Sequence, residues 1–171
     1  MAVFFIADTH FDDAMIMNCE SRPFADVKSM NEAIIANWND TVEKDDEVFF
    51  VGDVGNPEYV SKLNGKKYLI KGNHDKLSNE EYRAAGFAEV YDYPIIYNDF
   101  WIVSHEPVYV NMNMPYANIF GHVHNSPLYK TVSARSYCVS LERLDYKPVL
   151  FEDIAAAVAV ADEQENKENN I

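Results

Sequence analysis

The chain is punctuated by short apolar runs that break off abruptly at Asp, Asn, Gly or His. Residues 3–7 stop at Asp8-Thr9-His10, residues 48–51 at Gly52-Asp53, and residues 68–70 just before Gly72-Asn73-His74-Asp75. Further along, 101–103 leads into Ser104-His105, and 118–120 into Gly121-His122-Val123-His124. The runs are rich in Val, Ile, Phe and Tyr and alternate little, which predicts strands covered on both faces. Two more, at 137–141 and 149–151, follow in the second half.

Helix signals lie between the early runs. Ser29-Met30-Asn31-Glu32 reads as a capping box, with Ile34, Ile35, Trp38 and Val42 following at helical spacing. Asn56-Pro57 reads as a cap before a first-turn proline, closed by Asn64-Gly65. Ser78-Asn79-Glu80-Glu81 is a second box, and Gly86 its stop. Strand–helix alternation followed by a strand-rich half predicts an α/β domain with mixed sheets and outer helices. With 171 residues the chain reads as one domain, residues 1–161, and the polar, acidic segment 162–171 as a frayed tail.

All five histidines fall at or just past the end of a run. In open α/β sheets ligands bind outside the carboxyl ends of strands. Asp8-x-His10 and His122-x-His124 place residues two apart, which on an extended chain point to one face and can reach one cation. Imidazole and carboxylate donors without thiolate suit Mn, Fe, Zn, Co or Ni. Taken singly, each block also reads as a cap, a turn or a half-buried strand pair. Five of them in order at five strand ends read as a site.

Net charge narrows the partners. Fourteen Lys and Arg against 28 Asp and Glu leave −14, a field that repels polyanions and argues against a protein that tracks long nucleic acid. Cys19 and Cys138 are too few for a disulfide framework. The amino terminus lacks a basic region before its apolar run, and no run approaches the roughly 20 residues of a membrane span. The expectation is a soluble, cytoplasmic protein with no membrane partner.

The order Asp-x-His, Gly-Asp, Gly-Asn-His-Asp, His, Gly-His-x-His, running from Asp8 to His124, resembles the calcineurin-like metallophosphoesterase superfamily. The resemblance implies a four-layer α/β/β/α sandwich of two mixed β-sheets with a two-metal site at the strand ends. It implies two divalent ions, with Mn first and Fe, Zn, Ni or Co as alternatives. Asp8, His10 and His124 would hold one ion, Asn73, His105 and His122 the other, and Asp53 would bridge them. His74 would then stand over the substrate as general acid. Two ions roughly 3.5–4 Å apart can share a water and lower its pKa towards neutrality, giving a bridging hydroxide as nucleophile. They would also make the site locally positive inside an acidic protein.

Around this core, Asp75 would orient the His74 imidazole, and Arg22 reads either as a surface arginine or as a grip on a substrate phosphate alongside Asn73 and His74. Asp12 and Asp13 read as helix caps, and substrate choice as residing in the loops around Arg22 and Met112. The implied reaction is hydrolysis of a small phosphodiester, with phosphomonoesters open as well. The alternatives are a nuclease or protein phosphatase of the same superfamily, or a non-catalytic scaffold.

Overall fold

The computed structural model describes residues 1–111, 113–127 and 133–169. In chain order the first half runs β1 (Val3–Ile6), α1 (Ala14–Cys19), α2 (Val27–Thr41), β2 (Glu47–Phe50), β3 (Lys66–Ile70), α3 (Asn79–Ala85) and β4 (Phe87–Tyr91). The second half runs β5 (Ile95–Tyr97), β6 (Trp101–Ser104), β7 (Ala117–Phe120), β8 (Ser136–Cys138), β9 (Val149–Leu150) and α4 (Phe151–Asn169). One sheet has the order β4-β3-β2-β1-β9, and the other β5-β6-β7-β8. Both are mixed: β9 is antiparallel to β1 and β5 to β6, while the remaining pairs are parallel.

The unalternating runs have a direct cause. Phe4, Ile6, Val48 and Phe50 face Met30, Ile34 and Trp38 of α2 on one side of the first sheet. The intervening Phe5, Phe49 and Val51 join Val103 and Ile119 in the core shared with the second sheet. Every position is therefore apolar, because both faces are covered. α4 adds Ile154 and Val158 to that shared core and contacts β1, β8 and β9. β4 and β5, which the sequence does not announce, are edge strands, β4 buried at only two positions and β5 at none, so no continuous apolar run is needed.

Two boundaries differ from expectation. The cap of α2 is Asp26, with Ser29 at the third helical position: Asp26 Oδ1 accepts from the Ser29 amide at 2.7 Å, and Ser29 Oγ from the Asp26 amide at 3.1 Å. The box is thus shifted three residues towards the amino terminus. The segment 162–169 continues α4. Arg135 grips Asp162 through two bonds of 2.7 and 3.1 Å, and the helix-favouring residues that follow carry the turn pattern on. The α3 box, the Gly86 stop and a 3-10 helix over Pro57–Lys62 are found where expected. Among the described residues no helix is long and apolar enough to cross a membrane.

One junction positions the site. The Val139 amide donates to Phe120 at 2.7 Å, while its carbonyl accepts from Ala7 at 2.8 Å. The Leu141 amide then donates to the Ala7 carbonyl at 3.1 Å. The chain leaving β8 therefore steps from the second sheet to the first, right beside the ends of β1 and β7.

Candidate metal centre

The carboxyl ends of β1 and β2 stay hydrogen-bonded beyond the strands proper. Asp8 N donates to Gly52 O at 3.0 Å, His10 N to Asp53 O at 3.0 Å, and Phe11 N to Val54 O at 2.9 Å. This brings Asp8, His10 and Asp53 side by side. The backbone there is not extended as the two-residue spacing suggested. Asp8, His10, Asp53, His122 and His124 have φ of 61°, 47°, 56°, 70° and 46°. Left-handed non-glycine residues are uncommon, cost on the order of 1–3 kcal/mol each, and cluster where function over-determines the backbone. So His122 and His124 do not share one strand face: His122 turns to His105 and His124 to His10, at ring separations of 5.1 and 5.3 Å.

Glycines make room beneath the side chains. A Cβ on Gly72 would collide with Asp53 Oδ1 and lie 2.8 Å from the His105 ring. Gly52, at φ +88°, has the same ring and Gly72 Cα packed against it.

The side chains form two adjoining sets. Asp8, His10 and His124 each offer an atom within 4.8 Å of the others. In the second set, Asn73 Oδ1 lies 3.0 Å from both His105 Nε2 and His122 Nδ1, and those two nitrogens are 3.3 Å apart. Asp53 Oδ2 stands between the sets, 3.5 Å from His10 Nε2 and 3.3 Å from His105 Nε2. Other contacts set which ring nitrogen turns inward. His105 Nδ1 donates to Val51 O at 2.8 Å, so its Nε2 turns inward as an acceptor when the ring is neutral. His10 Nδ1 faces Asp13 Oδ2 at 3.4 Å, while its buried Nε2 has no hydrogen-bond partner among the described residues.

The electrostatics carry the same message. Burial pushes Asp8 up to about 6, against the pull of His124 and His105. Burial drives His10 down to about 4, with Asp53 opposing. At His105 burial is outweighed by the Asp53 hydrogen bond and by the Asp8 and Asp53 charges, which raise it to about 9. Asp53 is held low despite burial, by His105, the His74 amide and His10. Buried carboxylates and imidazoles that cannot all take their preferred charge states are a set that divalent cations would satisfy. The orphaned His10 Nε2 and the convergence on Asn73 Oδ1 fit that chemistry.

Three further site residues can be placed. His74 is exposed, its amide donating to Asp53 Oδ1 at 2.8 Å and its ring 5.3 Å from that of His10. Asp75 does not orient His74. Its buried carboxylate accepts from the amides of Asp53, Val54 and Gly72 at 2.7, 3.1 and 2.8 Å and from Tyr82 Oη at 3.1 Å, pinning the two metal loops together. Arg22 does not face solvent or substrate either. Its guanidinium is buried and spent on Glu142, Thr9 O and Asp8 O.

Asp13 caps α1 as expected, whereas Asp12 bonds Asn31, Asn56 and Tyr59. Met112 lies outside the described residues. Glu142, which contacts both Arg22 and His124, is absent from the sequence reading. Leu141-Glu142-Arg143 carries no strand-end signature that would have marked it. A groove of about 440 Å³ opens beside His122 and His124, lined also by Glu20, Glu106, Pro107, Val123 and Ser126.

The pattern of the calcineurin-like phosphoesterase family matches residues 1–157. An uncharacterised protein of Methanocaldococcus jannaschii, MJ1445, is 33% identical over 159 residues, covering 86% of this chain and 85% of its own. The crystal structure of AQ665, a protein of unknown function from Aquifex aeolicus, superposes with a TM-score of 0.70 at 24% identity, over 91% of this chain and 98% of that one.

Proposed function

We propose that this chain, which belongs to the calcineurin-like phosphoesterase family, hydrolyses small phosphodiesters at a two-cation centre. In this reading Asp8, His10 and His124 hold one cation, Asn73, His105 and His122 the other, and Asp53 serves both. The position of Asp53 Oδ2 between His10 and His105 is the observation that carries it. When bound, the cations supply Lewis-acid polarisation of the phosphoryl group and neutralise the charge that builds on it. Nitrogen and oxygen donors without thiolate suit Mn, Fe, Zn, Ni or Co, and Mn is put first on the family resemblance.

The chain's own groups do the rest. Asp75 holds the 53 and 72 loops in register, so the ligand atoms are arranged before substrate arrives. His74, exposed beside His10, gives a ring proton to the leaving-group oxygen, a contribution of about 10²–10⁴ in rate. Glu20 and Glu106 line the groove, and with a net charge of −14 they repel an extended polyanion. A small diester whose remaining bulk is neutral or cationic suits such a groove, and a long nucleic acid does not.

The test is turnover of bis(4-nitrophenyl) phosphate and 4-nitrophenyl phosphate by protein stripped with chelator and reloaded with each metal. Diester hydrolysis restored by Mn supports the reading. Inactivity on both esters with all five metals refutes it.

A further inference from the structure

We infer that Glu142 and Arg22 form a positioning pair for the centre. Glu142 locks His124 in one tautomer, and Arg22 ties that histidine to the Asp8–His10 turn. The inference rests on the metal-centre reading given above. The Glu142 side chain is 3% exposed, and its Oε1 lies 2.9 Å from Arg22 Nε, 2.7 Å from Arg22 Nη2 and 3.0 Å from His124 Nδ1. A carboxylate beside a guanidinium only accepts, so His124 Nδ1 carries the proton and donates it. His124 Nε2 is then the bare nitrogen, free to ligate. A carboxylate behind a ligating imidazole sets its tautomer and orientation in this way.

Arg22 extends the device to the other ligands. Nη2 donates to Asp8 O at 2.6 Å and Nη1 to Thr9 O at 2.9 Å, the two carbonyls inside the left-handed turn that carries Asp8 and His10. One planar fork thus reaches the backbone of β1's ligands and, through Glu142, the ring of His124. A lysine has no such fork. The His124 backbone is held separately, its carbonyl accepting from Arg143 Nε at 2.6 Å. Removing Glu142 therefore acts on the ring.

The test begins with the metal-free wild-type protein at alkaline pH, where long-range proton–nitrogen NMR reads the tautomer of each neutral imidazole. His124 should appear as the Nδ1–H form and lose that preference in Glu142→Ala. Manganese titration by calorimetry then compares wild type with Glu142→Gln and Arg22→Lys. One of the two equivalents should weaken by about 10–100-fold in each variant, with the other unchanged. An Nε2–H tautomer at His124 in the wild type overturns the inference. So do variants that melt at lower temperature yet bind both equivalents as tightly as wild type, since that is a purely structural role. Wild-type protein with the Nδ1–H tautomer and two-site binding but no phosphoester hydrolysis supports this inference and refutes the proposed function.

Discussion

Replacing Asp8 by Asn should stabilise the protein when no metal is bound. Asp8 is fully buried, and burial raises its carboxyl from 3.8 to about 6. The unfolded chain ionises near the lower value, so the native state holds a proton that the unfolded chain has released. Stability therefore falls as pH rises from 3.8 to about 6, and above that the whole penalty is present. A gap of about 2 units corresponds to about 3 kcal/mol. The near-isosteric amide has no charge to bury. At pH 7.5 in chelator, Asp8→Asn should gain about 3 kcal/mol in urea unfolding, or about 6–12 °C in Tm for a domain of this size. At pH 4 the gain should vanish. With Mn at a thousandfold excess over Kd the order should invert by about 1 kcal/mol, because wild type gains about 4.1 kcal/mol per site and the variant loses one such site. A chelated variant no more stable than wild type at pH 7.5, or equally stabilised at pH 4, would refute the reasoning.

Other perturbations have defined outcomes. Gly72→Ala drives a methyl into Asp53 Oδ1 and the His105 ring, so it should cost about 1–3 kcal/mol and lower metal content measured by elemental analysis. His74→Ala should slow alkyl diesters by about 10²–10⁴ while largely sparing nitrophenyl esters, which need no proton on departure. Equal loss on both would reassign His74 to phosphate binding. Arg135→Ala, which releases the partly exposed Asp162, should cost no more than about 1 kcal/mol and increase amide exchange beyond residue 162 of α4.

Much of this was readable from the chain alone, for a physical reason. Strands buried on both faces are predominantly apolar, so β1, β2, β6 and β7 stand out, and the polar residues that end them stand out by contrast. Edge strands obey no such demand, which hides β4 and β5. Roles that depend on burial were not legible. Arg22 looks like a free cation in a loop until its guanidinium proves to be enclosed, and Asp75 sits next to His74 in sequence while its carboxylate points at the neighbouring loops. Glu142 contributes through a contact 18 residues away with His124 and one 120 residues away with Arg22, and pattern at short range carries no trace of either.

The step that Val139 makes between the sheets has a consequence for how the protein matures. A nascent chain that has emerged only as far as residue 130 already contains Asp8 through His124, every group proposed to touch a cation. It still lacks the rung that fastens Ala7 to Phe120 through Val139, and Glu142 behind His124. Tight cation capture during synthesis should therefore wait for the last quarter of the polypeptide, and a ribosome-stalled fragment should remain loose around its ligands until that clasp arrives.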